Sequence, residues 1–205
     1  MPKPIRYLLC VAVIALLAYN SVYFKKLDEV KAGSATFDAA GYTKDFWEKK
    51  LTPGLSKAVD LYTLTALLKT DKEKAFDEHS HALGIGNIRY FLVKGEGIVN
   101  GVNENEVKVE VGEKEVRIAT EYIFGNAVRD ASGAIDINAF TNSMDFNNVS
   151  AEINKLIREK VVPPFKSKAR KGDRVTFYGA IELNREHLQV NDIEIIPVSL
   201  QIEKP

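Results

Sequence analysis

The chain has 205 residues with 28 basic and 28 acidic side chains, so it carries no formal net charge. That balance excludes a general electrostatic attraction for a polyanion. A single cysteine, Cys10, excludes an intramolecular disulfide, so packing alone must hold the fold.

Residues 7–24, Tyr-Leu-Leu-Cys-Val-Ala-Val-Ile-Ala-Leu-Leu-Ala-Tyr-Asn-Ser-Val-Tyr-Phe, carry no charge; Lys3 and Arg6 precede them and Lys25 and Lys26 follow. As a helix rising about 1.5 Å per residue, this run nearly crosses a hydrocarbon core of about 30 Å. Residues 1–24 are therefore expected to form a signal-anchor or transmembrane helix in the cytoplasmic membrane, with Lys3, Arg6 and the amino terminus on the cytoplasmic side. The remainder, 26 basic against 28 acidic residues once Lys3 and Arg6 are set aside, then lies outside the cytoplasm. Around Ala18-Tyr19-Asn20 bulky or polar groups stand where a signal peptidase needs small ones, which favours an uncleaved anchor over a cleaved signal. Lipid attachment at Cys10 comes last, because a lipobox cysteine ends the apolar region whereas Cys10 sits near its beginning.

Residues 25–36 are charged and small, and read as a juxtamembrane spacer. A helical segment is expected over 37–87. Phe37, Tyr42, Phe46 and Leu51 have roughly helical spacing with Asp38 as a cap. Thr52-Pro53 restarts a helix whose apolar stripe is Leu55, Val59, Tyr62, Leu64, Leu67 and Leu68. Asp71 caps a third helix that stops at Leu83-Gly84.

From residue 88 the period changes to two, and residues 88–205 are read as a separate β domain. Phe91, Val93 and Val99 mark a first strand, and Val107, Val109 and Val111 a second. Val116, Ile118, Thr120, Tyr122 and Phe124 mark a third. A helix capped by Asn147 or Asn148, with Val149, Ile153, Leu156, Ile157 and Val161 on one side, is closed by Pro163-Pro164. A fourth strand carries Val175, Phe177, Gly179, Ile181 and Leu183 inward. A last one runs from Leu188 to about Ile202, broken at Pro197. Three strands, a helix and two strands give the order of an OB-fold, so the expected class is α+β: an N-terminal membrane helix, a small helical segment, then an OB-fold-like five-stranded barrel with its helix between strands 3 and 4.

Chemistry-bearing groups are few. Gly95-Glu96-Gly97-Ile98-Val99-Asn100-Gly101 nearly spells a dinucleotide fingerprint, but it lies inside a strand pattern and has Asn100 where the third glycine belongs; a barrel bulge explains it. His79 and His81, two apart, do not share a helix face, and no cysteine or carboxylate grouping completes a metal site. No serine or histidine arrangement suggests a triad. Neither catalytic residues, metal nor cofactor is expected. Lys166, Lys168, Arg170, Lys171 and Arg174 form the one basic patch, read first as a solvated loop. The outward positions Lys108, Glu110, Arg117, Ala119, Glu121 and Ile123 hold no aromatic platform, which argues against nucleic acid. The long polar connection from Gly125 to Asn154 is the candidate site: Arg129 and Asp130 offer directional hydrogen bonds, and Asn142 and Asn154 add amides.

Ser21-Val-Tyr-Phe-Lys-Lys-Leu-Asp-Glu-Val, Tyr90-Phe-Leu-Val-Lys-Gly-Glu-Gly, Gly125-Asn-Ala-Val-Arg-Asp-Ala, Val161-Val-Pro-Pro and Gly172-Asp-Arg-Val-Thr-Phe-Tyr-Gly-Ala resemble the predicted periplasmic lipoproteins of domain of unknown function 2291. The resemblance implies a bacterial, extracytoplasmic protein with an OB-like domain, often encoded beside sugar-type ABC transporters, and it carries Gly125, Arg129 and Asp130 over as site residues. The expected role is a non-enzymatic, membrane-tethered accessory or binding protein on the periplasmic side of the inner membrane, meeting transporter components or a small polar solute. The alternatives are a nucleic-acid-binding OB domain and an envelope carbohydrate-acting hydrolase with paired carboxylates.

Overall fold

A computed structural model describes residues 2–21 and 37–203. The chain divides into two compact units, Met1–Phe37 and Asp38–Pro205. The first contains helix α1, Lys3–Ser21. It starts with the charged Lys3 and Arg6 and ends on Asn20 and Ser21, so its unbroken apolar part, residues 8–18, covers only about 16 Å of a hydrocarbon core of about 30 Å. Among the described residues no helix is long and apolar enough to cross a membrane. Val22, Tyr23 and Phe24 of the predicted span, and the spacer at 25–36, lie outside the described residues.

In the second unit Asp38 caps helix α2, Ala39–Phe46, its Oδ1 accepting from Gly41 N at 2.9 Å. The helix widens into a π turn, Trp47–Leu51, before the short turn Thr52–Gly54. A proline lacks an N–H, and its ring crowds the carbonyl four residues back. Just before Pro53 the turn is widened: Thr52 N–H bonds to Trp47 O, five residues back. The expected helix from Thr52 does not persist. The two-residue strand β1, Val59–Asp60, interrupts it, and Asp60 then caps helix α3, Leu61–Thr70. Asp71 caps helix α4, Lys72–His79, which ends earlier than Leu83-Gly84 because Ser80 and His81 form strand β2.

Five strands close the barrel: β3 (Ile88–Val102), β4 (Glu106–Val111), β5 (Lys114–Ala119), β6 (Arg174–Asn184) and β7 (Glu194–Glu203). The circuit is β3-β4-β5-β7-β6, and β6 returns to β3 along its length, from Ile88↔Asn184 to Ile98↔Arg174. All neighbours are antiparallel except β5 and β7. Period-2 alternation sends Phe91, Val93, Val107, Val109, Ile118, Val175, Phe177 and Ile195 into the barrel, where they are fully buried. Leu61, Leu64 and Phe76 from α3 and α4 belong to the same core, Phe76 meeting Phe91 edge-on at 5.2 Å.

The glycine-rich run lies within β3, with a register shift between Val99 and Gly101, so Asn100 sits at a bulge and no helix follows. A Cβ on Gly97 would stand 2.7 Å from Val109 Cγ1 and collide with Glu110 O. Three strand expectations are corrected. The third strand ends at Ala119 instead of reaching Phe124, because Thr120 N bonds to Asn105 O outside the ladder, leaving Tyr122 and Phe124 exposed. The last strand starts at Glu194 and runs unbroken through Pro197, which is taken up by a register shift opposite Tyr178 and Gly179. Ala119 and Ile123, expected outward, are buried.

Between β5 and β6 lie helices α5 (Ala127–Ala131), α6 (Ser143–Leu156) and α7 (Val162–Lys166). A π turn, Ile157–Val161, joins α6 to α7, so Pro163 and Pro164 fall in a continuing helical turn instead of closing the helix.

Adding a methyl at Gly97 should lower the unfolding free energy by about 1–3 kcal/mol. Gly84→Ala, which meets nothing within 4 Å, should stay within about 0.5 kcal/mol of the parent. Urea titrations followed by the fluorescence of Trp47, the chain's one tryptophan, measure both; coincident midpoints would contradict the barrel geometry at β3.

Candidate functional site

The connection after β5 places its polar residues by burying its apolar ones. Ile123 is buried, Phe124 turns out to solvent, and Gly125 adopts φ 79°, a left-handed conformation that suits glycine. Helix α5 follows, with all five of its residues buried. Ala127, Val128 and Ala131 supply the apolar contact, and Arg129 and Asp130 are carried in with them. Their side chains are 6% and 4% exposed and pair at 2.6 Å, Arg129 Nε donating to Asp130 Oδ1. Asn126 Nδ2 donates to Asp130 Oδ2, and Asn126 Oδ1 accepts from Tyr90 OH at 3.3 Å. Burial, with Glu182 nearby, pushes the Tyr90 phenol above its usual range, which keeps it protonated as the donor.

Helix α6 faces this segment. Its apolar stripe, Phe146, Val149, Ile153 and Ile157, is buried. The adjoining stripe, Asn147, Ser150, Ala151, Asn154 and Arg158, follows the i, i+3, i+4, i+7, i+11 spacing of one helix face. Together with Phe124, Gly125, Asn126 and Arg129 it lines a cavity of about 480 Å³. Arg129 ties the two walls: its guanidinium carbon lies 3.6 Å from the centre of the Phe146 ring, and Nη1 donates to Phe146 O at 3.4 Å. Asn154 Nδ2 donates to Gly125 O at 2.8 Å, and Arg158 Nη1 donates to Ile123 O while lying 5.4 Å from the Phe124 ring centre. Ser150 Oγ is buried with no hydrogen-bond partner among the described residues.

The structure thus brings Gly125, Arg129 and Asn154 onto one cavity and sets Asp130 behind Arg129. Asn142 is elsewhere in function: exposed, it caps α6, accepting from Asp145 N at 2.8 Å and donating to Asp145 Oδ2 at 2.7 Å. Asn142 thus lies off this cavity, and the cap expected at Asn147 or Asn148 is corrected to Asn142. Sequence reasoning missed Phe124, Asn126, Asn147, Ser150 and Arg158. The available signal was the polar stripe one position round from Val149-Ile153-Ile157.

The basic patch is largely turned to local work. Lys166 Nζ donates to Glu104 O, Arg170 Nη1 to the carbonyls of Ser167 and Ala169, and Arg174 pairs with Glu203 at 3.9 Å. Lys168 and Lys171 are exposed. His79 ends α4 and His81 lies in β2; among the described residues no group of three His, Cys, Asp or Glu is placed to hold a metal.

A family model described as "Predicted periplasmic lipoprotein (DUF2291)" matches residues 12–201. A solved structure titled as an OB-fold protein from Thermotoga maritima MSB8 is 26% identical, with a TM-score of 0.74 over 82% of this chain and 99% of that one. Among curated proteins nothing matches the sequence.

Removing the carboxylate of the buried pair while keeping its shape, Asp130→Asn, should cost about 3–5 kcal/mol, because Arg129 keeps a charge that nothing then neutralises. Ser150→Ala removes a hydroxyl that is already unpaired and should be neutral, or stabilising by up to about 1 kcal/mol. Chemical denaturation at neutral pH reads both; the reverse order would refute the bonding scheme.

Proposed function

The chain belongs to the predicted periplasmic lipoproteins of DUF2291, and we propose that this protein is a non-enzymatic, membrane-tethered binding protein of the inner-membrane periplasmic face that holds a small polar solute between α5 and α6. The observation that carries this reading is the cavity itself. Two guanidinium groups and three amides line about 480 Å³, and Ser150, whose hydroxyl is buried without a partner among the described residues, belongs to the same lining; the volume is within the range of about 300–1,000 Å³ common for small-molecule sites. The described lining includes no aspartate, glutamate, histidine, cysteine or lysine. A hydrolase reading would need paired carboxylates flanking a bond, and this cavity does not supply them. The nucleic-acid reading rests on fold likeness alone. On the barrel's outer face Lys108 pairs with Glu115 at 3.1 Å, and Arg117 with Glu106 at 3.2 Å and Asp192 at 2.8 Å, so those cations are already matched.

A second reading has the rim meet a protein, such as a component of a sugar-type ABC transporter. It is favoured by Phe124 of the cavity lining and by Tyr122 two residues before it in the chain, both about two-thirds exposed (67% and 66%). Co-purification from native membranes in mild detergent would separate it, since Phe124→Ser should then release the partner.

Ala151 is exposed on the cavity wall, so Ala151→Phe should fill the cavity without disturbing the core. The full chain in mild detergent, screened by thermal shift against monosaccharides, amino acids and small carboxylic acids, should gain several degrees with at least one compound. Ala151→Phe should keep the unliganded midpoint and lose that gain. Absence of any gain in the parent, or an equal gain in the variant, would reject the cavity as a solute site.

A further inference from the structure

Resting on that solute-binding reading, we propose that the solute is a small hydroxylated monocarboxylate, seated with its carboxylate on Arg158 and its hydroxyls on Ser150, Arg129 and the neighbouring amides. The charge pattern limits the ligand first. Arg129 and Arg158 are the charged residues of the described lining, and Asp130 neutralises Arg129 from behind. What remains is one net positive charge, which suits a monoanion better than a dianionic phosphate or a polyanion.

The donors limit it further. Arg158 spends Nη1 on Ile123 O, and among the described residues its Nε–Nη2 edge has no partner. That edge presents two parallel N–H groups, the arrangement that meets both oxygens of a carboxylate. Arg129, on the facing α5 wall, spends Nε on Asp130 and Nη1 on Phe146 O, which leaves Nη2 as a second donor without a partner among the described residues. Ser150, 8% exposed, has a buried Oγ without a partner. Such a hydroxyl costs free energy in the empty protein, and a turn of the Ser150 side chain about χ1 would offer it to a ligand hydroxyl that donates to it or accepts from it. Asn147 stands on the helix wall as an exposed amide, able to donate and accept at once. The exposed ring of Phe124 closes one side, and an aromatic face suits the C–H side of a polyhydroxylated body.

Binding of D-glucuronate, D-glucose and D-glucose 6-phosphate to the full chain in mild detergent, measured calorimetrically, tests this. The three share a six-carbon frame and differ in charge. Glucuronate should bind about tenfold or more tighter than glucose, and Arg158→Gln should bring the two affinities together. Arg158→Lys, which keeps the charge but loses the paired donors, should fall between the two and serves if the glutamine variant does not fold. Ser150→Ala should weaken glucuronate about threefold to tenfold without lowering the melting midpoint.

Equal binding of glucose and glucuronate would overturn the anionic assignment while leaving the solute reading intact. So would tighter binding of the phosphate, or an unchanged preference in Arg158→Gln. Silence from all three, with other compounds of the thermal screen still binding, would overturn the monocarboxylate and spare the cavity. Silence throughout would remove both.

Discussion

Two opposite charges removed from water side by side hold the cavity together. Stability alone does not call for them, since an apolar pair of similar shape serves a core as well as a buried ion pair does. What Arg129 and Asp130 supply is direction. Both Asp130 oxygens are used, one on Arg129 Nε and one on Asn126, and Asn126 also accepts from Tyr90 of β3. That chain of bonds fastens α5 to the barrel. On the other side Arg129 lies flat on Phe146 and donates to its carbonyl, which fastens α5 to α6. One guanidinium therefore ties together two walls of the cavity that it lines.

The barrel was legible because a buried strand leaves a period-2 trace that little else produces. Phe91-Val93, Val107-Val109-Val111 and Val175-Phe177 all fall where the alternation puts them. The trace fails at its ends, where alternation outlasts the ladder. Tyr122 and Phe124 continue the rhythm of Val116 and Ile118, but Thr120 has already turned its N–H to Asn105, and the two aromatics emerge into solvent. Pro197 fails the other way. A proline reads as a break, yet a register shift opposite Gly179 absorbs it, where a Cβ would stand 2.6 Å from Ile196 O. The cost of a proline in a ladder depends on the partner strand, which local sequence does not display.

The site was half legible for a related reason. Gly125, Arg129 and Asn154 stood out as polar residues in a long connection, and the fold gathers them. Asn142 stood out equally and went to a helix cap, because Asp145 three positions on makes Asn142-Ser-Met-Asp a reciprocal capping pair. Starting α6 at Ser143 instead of after Asn147 adds a turn of helix, and that turn brings Asn147 into line with Ser150, Asn154 and Arg158. Arg158 was obscured by Pro163 and Pro164, which suggest that the helix is finishing nearby. The π turn at Ile157–Val161 lets the helix pass them, so Arg158 remains on the cavity face with its backbone still helical.

Fold and site come apart in this molecule. The barrel's interior is filled by its own side chains, and its outer cations at Lys108 and Arg117 are matched by Glu115, Glu106 and Asp192. The surface that other OB-folds use for strands of nucleic acid thus has its charge spent internally. Arg129 and Arg158, each with donors that no described residue accepts, lie in the segment between β5 and β6, which Asn126 and Tyr90 fasten to the barrel. Likeness to an OB-fold structure over 82% of this chain is a likeness of fold and leaves the chemistry of that segment open. The nine lining positions from Phe124 to Arg158 differ chiefly in which of their polar atoms the protein satisfies itself and which it does not.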